Sequence, residues 1–292
     1  MAGWPTSPTE IVNPAAVMTL AMIQSERWRL LDLGAEINQK HVVIQWCARR
    51  RLLRNCSTCK SCNLPMHLTN YAQNVDGKRW KCSACNTTHP IRYQSFFSRS
   101  HLSLRQIIVL LYCWCPDLPL NVCIHEAAID SRQTGVDWAN FCREECATYT
   151  SRNPIQIAGF DANGSPTVVK IDETKYFHRK HHRGHWHEGH WVFGGTERTS
   201  WWCFMIEVQD RRAHTLEPLI ERHILPGSHI ISDGWASCAN ISITAHGIYM
   251  HSVVNHSLHF VDPQDENIHT QNIENMWMWA KCKLKQQFGT SR

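Results

Sequence analysis

Three acidic residues stand where a carboxylate can take part in metal chemistry. Asp172 lies in the run VVKIDET, where alternation places Val169 and Ile171 on the opposite side of a pleated strand. Asp233 ends the run HIISD and precedes Gly234, at which the chain can turn away and leave the carboxylate at a strand tip. Glu274 flanks the apolar stripe Ile273, Met276, Trp277, Ala280, Leu284 and Phe288, with Lys281 and Lys285 seven and eleven residues further on. Carboxylates converging within ~4 Å repel by several kcal/mol even at an effective dielectric of about 20. Divalent cations, Mg²⁺ or Mn²⁺, remove that cost, and a pair of them supports in-line displacement at phosphorus. A lone Asp at a strand end also serves as a turn former, and a Glu in a first helical turn answers the helix dipole. Glu173, Asp210 and Asp262 meet the same criteria, so spacing alone leaves the choice open.

A second group of residues calls for a different metal. Cys59 and Cys62 are separated by two residues, as are Cys82 and Cys85, and nineteen residues lie between the pairs. Two thiolates on one tight turn span adjacent corners of a tetrahedron, and a second such turn closes it, so the segment reads as a structural Zn²⁺ site of four cysteines. Cys56 offers an alternative first pair with Cys59, and His67 or His89 an alternative ligand; Cys59 with Cys62 is preferred. Fourteen cysteines could suggest a disulfide framework, but such frameworks belong to short secreted chains, and here Cys113, Cys115 and Cys123 lie in apolar helical stretches as small hydrophobes.

The net charge of +5 is unevenly spread. Eleven basic residues stand between Arg49 and Arg105 against one acid, Asp76. A block of one sign is the electrostatic footprint of a polyanion-binding surface, whereas a merely solvated face mixes both signs. The longest early apolar run, PAAVMTLAMI, is too short for a bilayer span and lacks a basic flank, which argues for a soluble intracellular protein with no membrane association.

These groups need a scaffold. Residues 15–54 read as two helical pieces, the second being HVVIQWCARRRLLR, with Val42, Ile44, Trp46 and Leu52 as its apolar positions. From 101 to about 149 come three helical stretches separated by PDLP and SRQTG. The second break invites a helix-turn-helix, with Arg132, Gln133 and Thr134 leading into a recognition helix. Three packed helices without a nucleic-acid role fit the same periodicity, and the neighbouring basic block tips the balance. After the loop FDANGSPT the pattern predicts strands over 168–174, 190–196 and 202–210, a helix over 213–225 and a strand over 229–233. A short helix near 236–245, a strand over 248–254 and a helix over 269–288 complete it. Three strands, helix, strand, helix, strand, helix is the RNase H order, an α/β fold with a mixed five-stranded sheet. The expected organisation is an N-terminal helical region (1–54), a zinc ribbon (55–95), a helical, helix-turn-helix-like DNA-binding region (96–152) and an RNase H-like catalytic domain (160–292).

Several strings carry a family resemblance: VVKIDETKYF, HWVFGGTER, VQDRRAHTLEPLIERHILPGSHIISDGW, VNHSLHFVDP and HTQNIENMW. Together with WKCSACNTTHPIRYQSFFSRSHLSL upstream, they resemble Merlin-type transposases and their bacterial insertion-sequence relatives over roughly residues 55–292. The resemblance implies a catalytic triad at Asp172, Asp233 and Glu274, and a reaction in which terminal inverted repeats in double-stranded DNA are bound, cut and rejoined elsewhere by a homo-oligomer. It places the protein in the nucleus if the source is eukaryotic and in the cytoplasm otherwise. Two departures stand out. The chain stops at Arg292 where family members continue, which points to a truncated or domesticated copy that binds DNA without moving it. The histidine-dense FHRKHHRGHWHEGH replaces a basic loop and is read as DNA-contacting through Lys180 and Arg183 rather than as a metal site. A nuclease acting on RNA–DNA hybrids is the remaining alternative, and the basic zinc-bearing arm argues for duplex DNA instead.

Overall fold

The computed structural model describes residues 9–176, 189–233, 248–254 and 271–286. The chain divides into two compact units, residues 1–145 and 146–292. The expected helix near 236–245 lies outside the described residues, as do Lys180, Arg183, Asp262 and Phe288.

In the first unit a 3₁₀ turn (Pro14–Ala16) precedes α1 (Leu20–Ser25), α2 (Leu30–Glu36) and α3 (Lys40–Arg49). These are four short pieces rather than two. The helix expected to run through Arg54 stops at Arg49 because Arg51 takes a left-handed backbone, φ 60°, which no α-helix admits. Its inward face is Val43, Ile44, Trp46, Cys47 and Ala48, while Leu52 is exposed. Three short antiparallel strands follow, β1 (His67–Asn70), β2 (Lys78–Lys81) and β3 (Thr88–Pro90). Then come α4 (Leu104–Trp114), α5 (Leu120–Glu126) and α6 (Arg132–Arg152), whose last turns belong to the second unit.

Helix α4 starts at a reciprocal cap: Gln106 N–H donates to Ser103 Oγ, and Ser103 N–H donates to Gln106 Oε1. Its Leu104, Ile107, Leu110 and Cys113 join Ile37, Ile44, Cys47, Met66, Trp80 and Ile91 in one core. Cys113 and Cys123 are buried as expected of small hydrophobes, whereas Cys115, just past the end of α4, is exposed.

The break between α5 and α6 falls at residues 127–131, where Ala128 turns left-handed (φ 51°), and not at SRQTG. Arg132, Gln133 and Thr134 form the first turn of α6 instead of leading into it. Gly135 is needed there, since a Cβ would sit 2.4 Å from the Ile124 side chain of α5.

The second unit is built on a sheet of five strands: β4 (Val168–Tyr176), β5 (His190–Glu197), β6 (Cys203–Val208), β7 (His229–Ser232) and β8 (Met250–Val253). Their order is β6-β5-β4-β7-β8, with β6, β5 and β4 antiparallel and β4, β7 and β8 parallel. This mixed sheet with its helices is compatible with an RNase H-like fold. Helix α7 (Ala213–His223) packs Leu216 and Ile220 against Val169, Ile171, Phe193 and Ile230. Helix α8 (Gln271–Gln286) packs Ile273 and Trp277 against Tyr176, with Val192, Met276, Ala280 and Leu284 at the margin. The strand period of two sorts β4 between these layers: Val169 and Ile171 pack with α7, while Lys170, Asp172 and Thr174 bond to residues of α8. Among the described residues no helix is long and apolar enough to cross a membrane.

Candidate active site and metal centre

The parallel pairing of β4 with β7 ends at Lys170 opposite Ile231. Two residues further along each strand stand Asp172 and Asp233, so one register delivers both acids to the same end of the sheet. A third carboxylate joins them, that of Glu173. One oxygen from each of Asp172, Glu173 and Asp233 lies within 4.8 Å of the other two. Glu274, on the exposed side of the first turn of α8, is not part of this group. Its charge nevertheless acts on Asp172 and Lys170. Asp210 sits elsewhere in its own turn, accepting from Arg212 N–H and Thr215 Oγ1.

The electrostatics of the cluster follow from burial and like charge. Asp172 is pushed up to about 6 by burial and by Asp233, a rise that the hydrogen bond from Trp277 and the Glu173 N–H partly offset. Glu173 is pushed up to about 7 by burial and by the charges of Asp233 and Asp172, against the pull of Arg211. Hard oxygen donors held together at this electrostatic cost fit a Mg²⁺ or Mn²⁺ ion. In the metal-free protein these acids hold protons that the unfolded chain has already released, so the folded state binds more protons between about pH 4 and about pH 7. Stability of the metal-free protein is therefore expected to fall as pH rises through that window. Thermal melting at a series of pH values should show the decline, and added Mg²⁺ should recover more at pH 7.5 than at pH 5.

Around the acids the structure places cations on aromatic faces. Arg211 lies over the Trp191 ring at 3.9 Å, and Lys175 over the same ring at 5.5 Å. Lys281 donates to Thr174 Oγ1 and lies 5.4 Å from the centre of the Tyr176 ring. Lys285 falls within α8. Lys170, buried under α8, donates to Asn272 Oδ1 at 2.7 Å, and burial pulls it down to about 8.

In the first unit the sulfurs of Cys59, Cys62, Cys82 and Cys85 converge, with Cys59–Cys85 and Cys62–Cys82 at 3.4 Å and Cys62–Cys85 at 3.7 Å. A tetrahedron with Zn–S arms of about 2.3 Å has edges of about 3.8 Å, so the separations fit such an ion. Both turns are built alike. Asn63 and Asn86 follow the second cysteine of each pair with φ of 57° and 59°, and their N–H groups donate to the carbonyls of Cys59 and Cys82. Burial opposes the Cys59 thiolate, but N–H groups of Cys62 and Ser61 outweigh it and hold the thiol down to about 6. Cys56 is exposed and outside the group; His67 bonds to Thr9 and His89 to Ser57.

Two of the eleven basic residues between Arg49 and Arg105 are internal fixtures. Arg92, almost fully buried, clasps Asp76 through Nε at 2.7 Å, and Arg50 holds Glu26 through Nε at 2.8 Å while covering Trp46. Arg49, Arg51, Arg54, Lys60, Arg99 and Arg105 remain exposed.

Residues 162–292 match the ISXO2-like transposase domain. This part of the chain is therefore similar to insertion-sequence transposases of that kind. No curated protein matches the chain. The transposase domain coincides with the five-stranded sheet, and the acid cluster lies at the end of its central strands.

In the sequence Glu173 is one of three rival acids that spacing does not separate, and the resemblance implies Glu274 as the third acid instead; the structure brings Glu173 into the group. Sequence reasoning did not identify Lys170 or Trp277 as neighbours of the site. The glycine pair in HWVFGGTER was the available signal. A Cβ at Gly194, the residue paired with Asp172, would lie 2.6 Å from the Trp277 ring, and one at Gly195 would lie 2.6 Å from Phe204.

Proposed function

We propose that the protein is a cut-and-paste DNA transposase of the Merlin type, with Asp172, Asp233 and Glu274 as its catalytic acids. The observation that carries the reading is the convergence of Asp172 and Asp233 at the end of adjacent parallel strands inside an ISXO2-like transposase domain. Asp172, Asp233 and Glu274 would hold Mg²⁺ or Mn²⁺. When bound, such ions polarise the phosphodiester and lower the cost of charge on the attacking and leaving oxygens. The chain's own groups supply the rest. Asp172 is presented by β4 and Asp233 by the end of the adjacent β7, and Glu274 is carried by a helix docked on β4. Glu173 adds a third carboxylate beside Asp172 and Asp233. Lys281, beside Thr174, and Lys285 further along the helix, with Lys180 and Arg183, are assigned to the DNA backbone.

The four-cysteine centre is assigned to structural Zn²⁺, and the first unit with its exposed arginines to the terminal inverted repeats. A homo-oligomer would hold both transposon ends, in the nucleus if the source is eukaryotic. The test is a Mg²⁺- or Mn²⁺-dependent cleavage and strand-transfer assay on DNA carrying the source element's terminal repeats. Glu274→Gln should abolish both steps while DNA binding persists, and Glu173→Gln, which removes a supporting carboxylate, should slow cleavage by only about 10–100-fold. The opposite ranking would move the third catalytic position from Glu274 to Glu173.

A further inference from the structure

Helix α8 is fastened to β4 by three side-chain hydrogen bonds at alternate strand residues: Lys170 to Asn272, Trp277 to Asp172, and Lys281 to Thr174. The middle one ends on a carboxylate of the acid cluster. Trp277 Nε1–H donates to Asp172 Oδ2 at 3.0 Å, while Oδ1 accepts the N–H of Glu173 at 2.7 Å. Among the described residues each oxygen is thus held by one donor, which leaves lone-pair capacity for a cation. An aspartate's terminal torsion is otherwise broad, so a carboxylate with one of these donors removed samples many orientations.

The indole itself is fixed. It is buried, stands edge-on to Tyr176 with ring centres 6.2 Å apart, and fills the space left by Gly194 on the strand next to Asp172. An indole N–H has no acceptor capacity, so it can serve the carboxylate only as a donor. We infer that Trp277 is a positioning residue whose indole N–H orients the Asp172 carboxylate and thereby sets how tightly a divalent cation is held there. The inference rests on the reading of the acid cluster as a metal site. Donors behind a ligating carboxylate are worth about 10–100-fold in metal affinity or activity in such sites.

The experiment is a calorimetric Mn²⁺ titration of the full chain, accompanied by cleavage kinetics and thermal melting. Trp277→Phe should weaken Mn²⁺ binding by about tenfold or more and lower kcat similarly, with KM for DNA unchanged. A benzothiophene analogue of tryptophan, installed at position 277 by codon reassignment, keeps the shape and removes only the N–H. It should reproduce the loss, and it serves alone if Trp277→Phe does not fold. Wild-type affinity in the analogue would assign any effect of Trp277→Phe to packing and overturn the inference. If wild type binds no Mn²⁺ and Asp172→Asn changes nothing, the metal-site reading falls and takes the inference with it. If wild type binds Mn²⁺ through Asp172 but the analogue is indifferent, only the inference falls.

Discussion

Asp172→Asn and Asp233→Asn are each expected to lower DNA cleavage by about 10³-fold or more, with repeat binding retained. Each substitution keeps the side-chain shape and removes one charge from the group that would hold the ions. The electrostatic stabilisation of a phosphoryl transition state through such ions is worth several kcal/mol, and about 1.4 kcal/mol corresponds to tenfold in rate. The same substitutions should leave the metal-free protein more stable near pH 7.5. With one acid neutral, the remaining two lose a repelling neighbour, and burial then costs less than in the wild type, where Asp172 and Glu173 are pushed up to about 6 and about 7. Opposite signs for activity and stability are what a functional cluster predicts, as distinct from a structural one. Melting temperatures with and without Mg²⁺, beside a cleavage assay, read both. A variant that is less stable and still active would remove that residue from the proposed triad.

Loss of the four-cysteine centre is expected to have the largest effect on the first unit. Apparent binding energies for structural zinc run to about 10–16 kcal/mol, and a site of this kind is folding energy for the segment that it closes. Here the segment is not isolated. Cys59 and Cys82 are themselves core residues, in one cluster with Met66, Trp80, Ile91, Leu104 and Ile107. Cys82→Ser, or chelation, should therefore loosen the helical core as well as the three short strands. Elemental analysis should find one zinc per chain in wild type and in Cys56→Ser, and none in Cys82→Ser. Amide exchange should show lost protection in α4 as well as in β2. A zinc-free protein that kept its protection throughout would overturn the assignment.

How far the amino-acid sequence reaches differs between the two units. The described strands and helices between 168 and 286 follow from local pattern: β4 alternates, α7 and α8 carry apolar stripes, and the ends of these elements agree with the pattern within a few residues. Cysteine pairs with two intervening residues, each followed by asparagine, encode the metal-binding turns in the same local way. The N-terminal helices are less legible. Left-handed residues such as Arg51 and Ala128, which set helix ends there, carry no glycine to announce them. Arg50 and Arg92 count as surface charge in a composition and are ion-paired to Glu26 and Asp76 in the fold.

What the sequence determined by itself is the set of parts and their order: four paired cysteines, two acids at predicted strand ends, a helix with Glu274 beside its stripe, and a strand order that makes Asp172 and Asp233 neighbours. Tertiary structure alone decided which groups share a site. Glu173 joins Asp172 although it is its strand neighbour, because Asp233, at the tip of the next strand, lies within reach of both. Trp277 reaches Asp172 across more than a hundred residues because Gly194 leaves room for its ring. Lys170 is buried in a strand because Asn272 waits above it. Periodicity reports which face a side chain takes, while distances between faces and across strand tips are set by packing, which no local pattern contains.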